Sequence, residues 1–215
     1  MKSLILKDLY NIGNSVKSLI FSSAVVAVAC LSTSNFLGYI IMCAMICSMM
    51  ISTTFAFDDY SKWTRYAMIM PVSKKDVVAG KFIVLIIFCM TGTLFGLMVS
   101  FMAGLAMGKV IFDLAGVAEM LFYAMVALAI SIIIGSTSIP LIFKFGTEKA
   151  RMLLVVSLLI PAGICFGIYL LLDILGINLT EQFVFILICC SLIIALFWCY
   201  VMYQISNRIF EKQEF

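Results

Sequence analysis

Few residues in this chain could do chemistry, and they are poorly placed to cooperate. Histidine is absent and there are only 11 carboxylates in 215 residues. A membrane hydrolase needs a nucleophile with its base, paired aspartates or a metal site. Asp58 and Asp59 end an apolar run at what reads as a water boundary, while Asp113, Glu119, Asp173 and Glu181 fall at the edges of other apolar runs. No Asp or Glu is expected inside a span. Cys43 and Cys47 share a helix face at i, i+4, a spacing that can hold a metal, but neither His nor an acid accompanies them. With Cys30, Cys89, Cys165, Cys189, Cys190 and Cys199 they lie in apolar runs, where cysteine packs as a small hydrophobe. No GxxxxGK[ST] phosphate loop occurs, so this chain does not hydrolyse ATP by that route. The residue types argue against an enzyme, and the lack of buried carboxylates argues against ion-coupled transport.

The elements that must position these residues are membrane helices. Hydrophobic residues make up 65% of the chain and mean hydropathy is +1.21. A span needs about 20 apolar residues, and the sequence holds six such runs: 18–33, 36–57, 82–107, 120–143, 152–172 and 183–205. The expected fold is all-α, a polytopic membrane protein forming a single transmembrane domain over 1–215. Ser32–Asn35 is a tight turn, and Ser206–Phe215 reads as a polar tail. Ahead of the first span, Ile5, Leu9, Ile12, Val16 and Leu19 recur at helical spacing, with Lys2, Lys7, Asp8, Asn14 and Lys17 falling elsewhere. Residues 1–17 are therefore expected to be an amphipathic helix lying in the interface. Gly92, Gly96, Ser100, Gly104 and Gly108 recur every four residues along the third span, which lets another helix approach closely. That stripe suits packing within the chain, a dimer seam or a translocation path. Pro140 and Pro161 are candidate kinks.

One polar island interrupts the apolar background. Phe57–Lys81 carries eight charged residues, Asp58, Asp59, Lys62, Arg65, Lys74, Lys75, Asp76 and Lys81, in a chain that is 12% charged. Trp63 and Tyr66 suit an interface. Pro71 disfavours helix at Met70, and Ser73 is a good N-cap for a helix opening with Lys74, Lys75 and Asp76. The island is expected to be helix, break, capped helix. Its side of the membrane follows from the basic residues: those outside the spans lie with the island, the two termini and the 144–151 loop, except Lys109. Both termini and the island are expected to be cytoplasmic. Basic residues placed between spans in this way give no sign of nucleic-acid binding.

Three stretches, MKSLILKDLY at the start, FAFDDYSKWTRYAMIMPVSKKDVVAGKF in the island and FKFGTEKAR before the fifth span, together resemble the half-size permease subunits of bacterial type-2 ABC exporters. The motif is matched at Asp58, Asp59, Trp63, Tyr66, Pro71, Val72, Ser73, Lys74, Lys75, Val78, Gly80 and Lys81. The resemblance implies six spans, an amino-terminal connecting helix, and short cytoplasmic coupling helices that dock in a groove of a separate ATPase. ATP and Mg would be bound by that partner, and no cofactor by this chain. The main coupling segment would use Asp58, Asp59, Trp63, Arg65, Tyr66, Pro71, Val72, Ser73, Lys74, Lys75 and Asp76, and the second Phe145, Gly146, Lys149 and Arg151. A second permease chain, in a homodimer or heterodimer, would complete the path through the bacterial cytoplasmic membrane, with lipid around it. Apolar spans rich in Met and Phe suit a hydrophobic or amphipathic cargo, such as a small antimicrobial or cytolytic peptide. A membrane immunity or accessory protein of the same architecture, which does not itself transport, fits the same residues.

Overall fold

The computed structural model describes residues 2–13, 16–32, 36–63, 66–67, 73–106, 114–150, 152–153, 155 and 181–212. Six helices order them: α1 (Lys2–Gly13), α2 (Val16–Ser32), α3 (Phe36–Tyr60), α4 (Lys74–Ala106), α5 (Leu114–Phe145) and α6 (Glu181–Glu211). The described residues contain no strand. Four of the helices, α3 to α6, are long and apolar enough to cross a membrane; α1 and α2, bent by 63° at the break between them, would make a fifth if they act together. Of the expected fifth span, 152–172, only Met152, Leu153 and Val155 are among the described residues.

The helices outrun the apolar runs that predict them. α4 has 33 residues, about 50 Å at helical rise, against roughly 30 Å of hydrocarbon. The capped helix expected at Ser73 and the third span are thus one continuous rod, and its charged first turns stand clear of the apolar part. α5 starts at Leu114, upstream of the expected start at 120, with Glu119 exposed on its surface. It also runs through Pro140 without ending. Of the expected polar tail after 205, Ser206–Glu211 are the last turns of α6. Ser206, Asn207 and Phe210 are buried there, and Tyr203, at the spacing that completes the same helix face, packs against the core. Polarity suggested a tail, but i, i+3, i+4, i+7 spacing decides burial.

α3 lies at the centre, with α4 and α5 against it and α6 beyond α5. Ile51, Val78, Val84, Leu85, Cys89, Ile139 and Ala195 are fully buried between them. Toward the charged end the filling becomes aromatic. Phe55 meets Phe143 edge-on at 5.0 Å, Phe143 meets Phe210 at 4.9 Å, and Phe82 meets Tyr203 edge-on at 5.6 Å, geometries that favour aromatic pairs. The close approach of α3 and α4 depends on glycine. A Cβ on Gly92 would stand 2.6 Å from Cys47 Cβ and 3.2 Å from Ala44 Cα, and one on Gly96 would stand 3.1 Å from Ile40 Cα. Ser100 and Gly104 continue that stripe and are buried, while Gly108 lies outside the described residues. Four buried hydroxyls are satisfied within their own helices: Ser48, Thr54, Ser131 and Ser138 each donate to the carbonyl three residues back, as expected where water is scarce, whereas the Ser206 hydroxyl has no such partner.

The α1 stripe of Ile5, Leu9 and Ile12 packs on the chain's own core, with Leu6 and Tyr10 facing outward. Val16 and Leu19 belong to α2, beyond the break.

Candidate functional site

Three helix ends converge at the charged end of the bundle, each bringing a charge on a face that is otherwise apolar. On α3, Thr54 and Asp58 sit one turn apart on the face that carries Ile51 and Phe55 into the core. On α4, Lys81 follows Val77 and Val78 by one turn and precedes Phe82. On α1, Asp8 occupies the face of Ile5, Leu9 and Ile12, with Lys7 beside it. Burial of these faces drags the charges inside. Asp8, Asp58 and Lys81 are 3%, 4% and 3% exposed.

Such burial is tolerable only with partners, because a desolvated ion loses several kcal/mol of hydration. The four charges supply one another. Lys81 Nζ lies 2.6 Å from Asp58 Oδ2 and 2.9 Å from Asp8 Oδ2. It also donates to the Thr54 hydroxyl at 3.2 Å. Lys7 Nζ donates to Asp58 Oδ1 and lies 3.2 Å from Asp8 Oδ1. Two cations and two anions alternate around a closed tetrad of zero net charge that ties α1, α3 and α4 together. Aromatic faces complete the shell: Lys7 Nζ is 3.4 Å from the Trp63 ring centroid and Lys81 Nζ is 4.7 Å from that of Phe55. Asp8 Oδ1 accepts no hydrogen bond, so its ion-pair contact with Lys7 is the weakest link of the four.

Beside the tetrad opens a cleft of about 310 Å³. Asp58, Asp59, Trp63 and Lys81 line one wall, and Lys144, Gly146 and Phe210 the other. The island and the segment after α5 therefore border the same cavity. Two left-handed residues shape its rim. Lys62, at φ 51°, follows the end of α3, where Ser61 N donates to Phe57 O at 3.0 Å. Gly146, at φ 79°, closes α5, with its N–H on Ile142 O at 2.9 Å. The left-handed region costs other residues energy and suits glycine. Thr147–Ala150 then form one further helical turn.

The residues singled out from the sequence divide into three groups. Asp59, Tyr66, Lys75, Phe145, Gly146 and Lys149 are exposed, and Tyr60 beside them is 91% exposed. Ser73 caps α4, accepting from the Asp76 N–H at 3.1 Å. Asp76 stands in the first turn, where a carboxylate suits the helix dipole. Lys74 and Lys75 reach the end of α6, donating to Glu211 O at 3.3 Å and pairing with its carboxylate at 3.8 Å. Asp58 and Trp63 form the third group and are turned inward, the first into the tetrad and the second under Lys7. Arg65, Pro71, Val72 and Arg151 lie outside the described residues. Asp58, expected at a water boundary, is buried, and Asp8, expected off the apolar face of its helix, lies on that face and is buried too. The physical reason is shared: each sits at helical spacing among residues that must be buried. Lys7, Asp8 and Lys81 went unassigned to any site. For Asp8, Asp58 and Lys81 the signal was a charge at i±3 or i±4 from residues that must be buried, on three segments and with both signs present; Lys7, beside exposed Tyr10, carries no such signal.

This is a multi-pass helical membrane protein that gathers a cluster of four ionisable residues at one end of an apolar bundle. The family model of ABC-2 family transporter proteins matches residues 3–211, and the chain belongs to that family. It is thus a permease component of an ABC transporter, a transport subunit rather than an enzyme, in a family that works with an ABC ATPase. No curated protein and no solved structure matches it.

Proposed function

We propose that the chain is the six-span permease of an ATP-driven exporter in a bacterial cytoplasmic membrane, with both termini cytoplasmic. On this reading, segments 57–81 and 145–151 dock on a separate ATPase that binds ATP and Mg, and closure of the ATPase is passed to the spans. A second permease chain, identical or related, completes the path. The observation that carries the reading is the shared cleft. Two segments distant in sequence border one cavity through Asp58, Asp59 and Trp63 on one side and Gly146 on the other, and within the same segments Tyr60, Tyr66, Lys75, Phe145 and Lys149 are exposed. The asymmetry of Lys and Arg supports the cytoplasmic placing of that end. The buried charges neutralise one another, which leaves the rest of the bundle apolar and supports a hydrophobic or amphipathic cargo, such as a small antimicrobial or cytolytic peptide.

Docking can be tested by co-expressing the chain with the ATPases encoded beside its gene. The expected result is a complex in which ATP hydrolysis is stimulated. Replacing Pro71–Lys75 with a Gly-Ser stretch is expected to abolish that complex while membrane insertion persists. Failure of every neighbouring ATPase to bind would sink the reading. Loss of insertion in the replaced chain would instead make the island structural. A complex that hydrolyses ATP without moving any cargo would favour an immunity or accessory role.

A further inference from the structure

We propose that Lys7 is a positioning residue through which the segment following α3 sets the seat of α1, with the Trp63 ring as the contact that holds or releases it. The inference rests on the docking reading above for its purpose, but on the tetrad alone for its physics.

The two lysines of the tetrad are not equivalent. The Lys81 side chain is 4% exposed and locked by Asp8, Asp58 and Thr54. The Lys7 side chain is 24% exposed and stands at the rim. Lysine carries its charge on a flexible stem that readily reaches for water, so Lys7 has a route out and Lys81 has none. Lys7 is held in by Asp58 from α3, by Asp8 from its own helix, and by the Trp63 face at 3.4 Å. Of these three, Trp63 alone lies beyond the end of α3, past the left-handed turn at Lys62. It belongs to the segment that a docked partner would touch.

Displacing Trp63 uncovers Lys7, which is then free to solvate. Asp8 and Asp58 are left to share Lys81, one net negative charge stays buried, and Asp8 Oδ1 loses its ion-pair contact. The helix that brought Asp8 in is the one whose seat weakens. Movement of the segment at Trp63 is thereby converted into loosening of α1, with α3 and α4 still joined through Asp58 and Lys81.

The test uses the full permease alone in lipid nanodiscs, reading amide hydrogen exchange over Ile5–Ile12. Trp63→Leu keeps apolar bulk and removes the cation–π face, and is expected to speed exchange in α1 roughly tenfold, a change of about 1.4 kcal/mol. Lys7→Met is expected to speed it at least as much. Lys7→Arg, which keeps both charge and stacking, is expected to stay within roughly twofold of the parent. In the Lys7→Met background, Trp63→Leu is expected to add nothing. The proposal is overturned if Trp63→Leu leaves α1 exchange unchanged, or if its effect is equally large without Lys7, since Trp63 would then act by packing alone. Should Lys7→Met fail to fold, Trp63→Phe decides the matter against Trp63→Leu: Phe keeps an aromatic face for the Lys7 ammonium and is expected to slow α1 exchange well below the Leu variant, whereas equal speeding by the two overturns the proposal. No ATPase enters the measurement, so failed docking and a failed latch give separate signatures.

Discussion

Replacing Lys81 by methionine is the sharpest perturbation of the charged end. The substitution keeps length and apolar bulk but removes the cation that stands 2.6 Å from Asp58 and 2.9 Å from Asp8. Two buried carboxylates then share Lys7, the more exposed lysine. Removing one partner of a buried ion pair costs about 3–5 kcal/mol, because the remaining charge stays desolvated. Against a total stability of roughly 5–15 kcal/mol that is a large share. With roughly 2–4 °C lost per kcal/mol in a chain of this size, unfolding should move down by about 10 °C. Thermal unfolding of the purified chain, followed by circular dichroism, reads this directly. The discriminating control is Lys81→Met combined with Asp58→Asn, which restores neutrality and leaves Lys7 with Asp8. Concerted neutral replacement of a buried pair is often close to neutral in stability, so the double variant should recover most of the loss. A single variant within about 1 kcal/mol of the parent, or a double variant below the single, would refute the view that these four charges act as a closed set.

Two further substitutions test the frame that carries the tetrad. Gly92→Ala places a methyl 2.6 Å from Cys47 Cβ and 3.2 Å from the α3 backbone, and should cost about 1–3 kcal/mol by overpacking. The same change at Gly13, which has nothing within 4 Å, should be nearly neutral when both are compared by thermal unfolding. Gly146→Ala forces a side chain into the left-handed region at φ 79° and should cost about 1 kcal/mol, seen as faster amide exchange at Ala150, whose N–H donates to Gly146 O.

Period and charge made much of this fold legible before the structure. The apolar runs located α2 and α3 to within a few residues, since a bilayer demands lengths that polar residues interrupt. Ser73 was legible as a cap because its hydroxyl and the residues after it fit one local geometry. The ends of the long helices were not. Hydropathy reports where lipid begins, whereas α4, α5 and α6 continue helical into the charged zone, held by contacts such as Lys75–Glu211 and Phe143–Phe210 that join residues distant in sequence. The tetrad was hidden for a related reason. Asp58 at the end of an apolar run reads as solvated until Lys81 and Asp8 are known to stand against it. Asp8 itself was placed on the polar side of α1 on residue type, although its spacing from Ile5 and Ile12 put it on the buried one.

The most direct measurement is a cryo-EM structure of the chain in complex with its ATPase. The account predicts segments 61–73 and 145–151 seated together in a groove of the ATPase, with Asp58 and Lys81 still paired beneath them and not touching the partner. An ATPase bound at any other surface, or one engaging Asp58 directly with the pair broken, would contradict it.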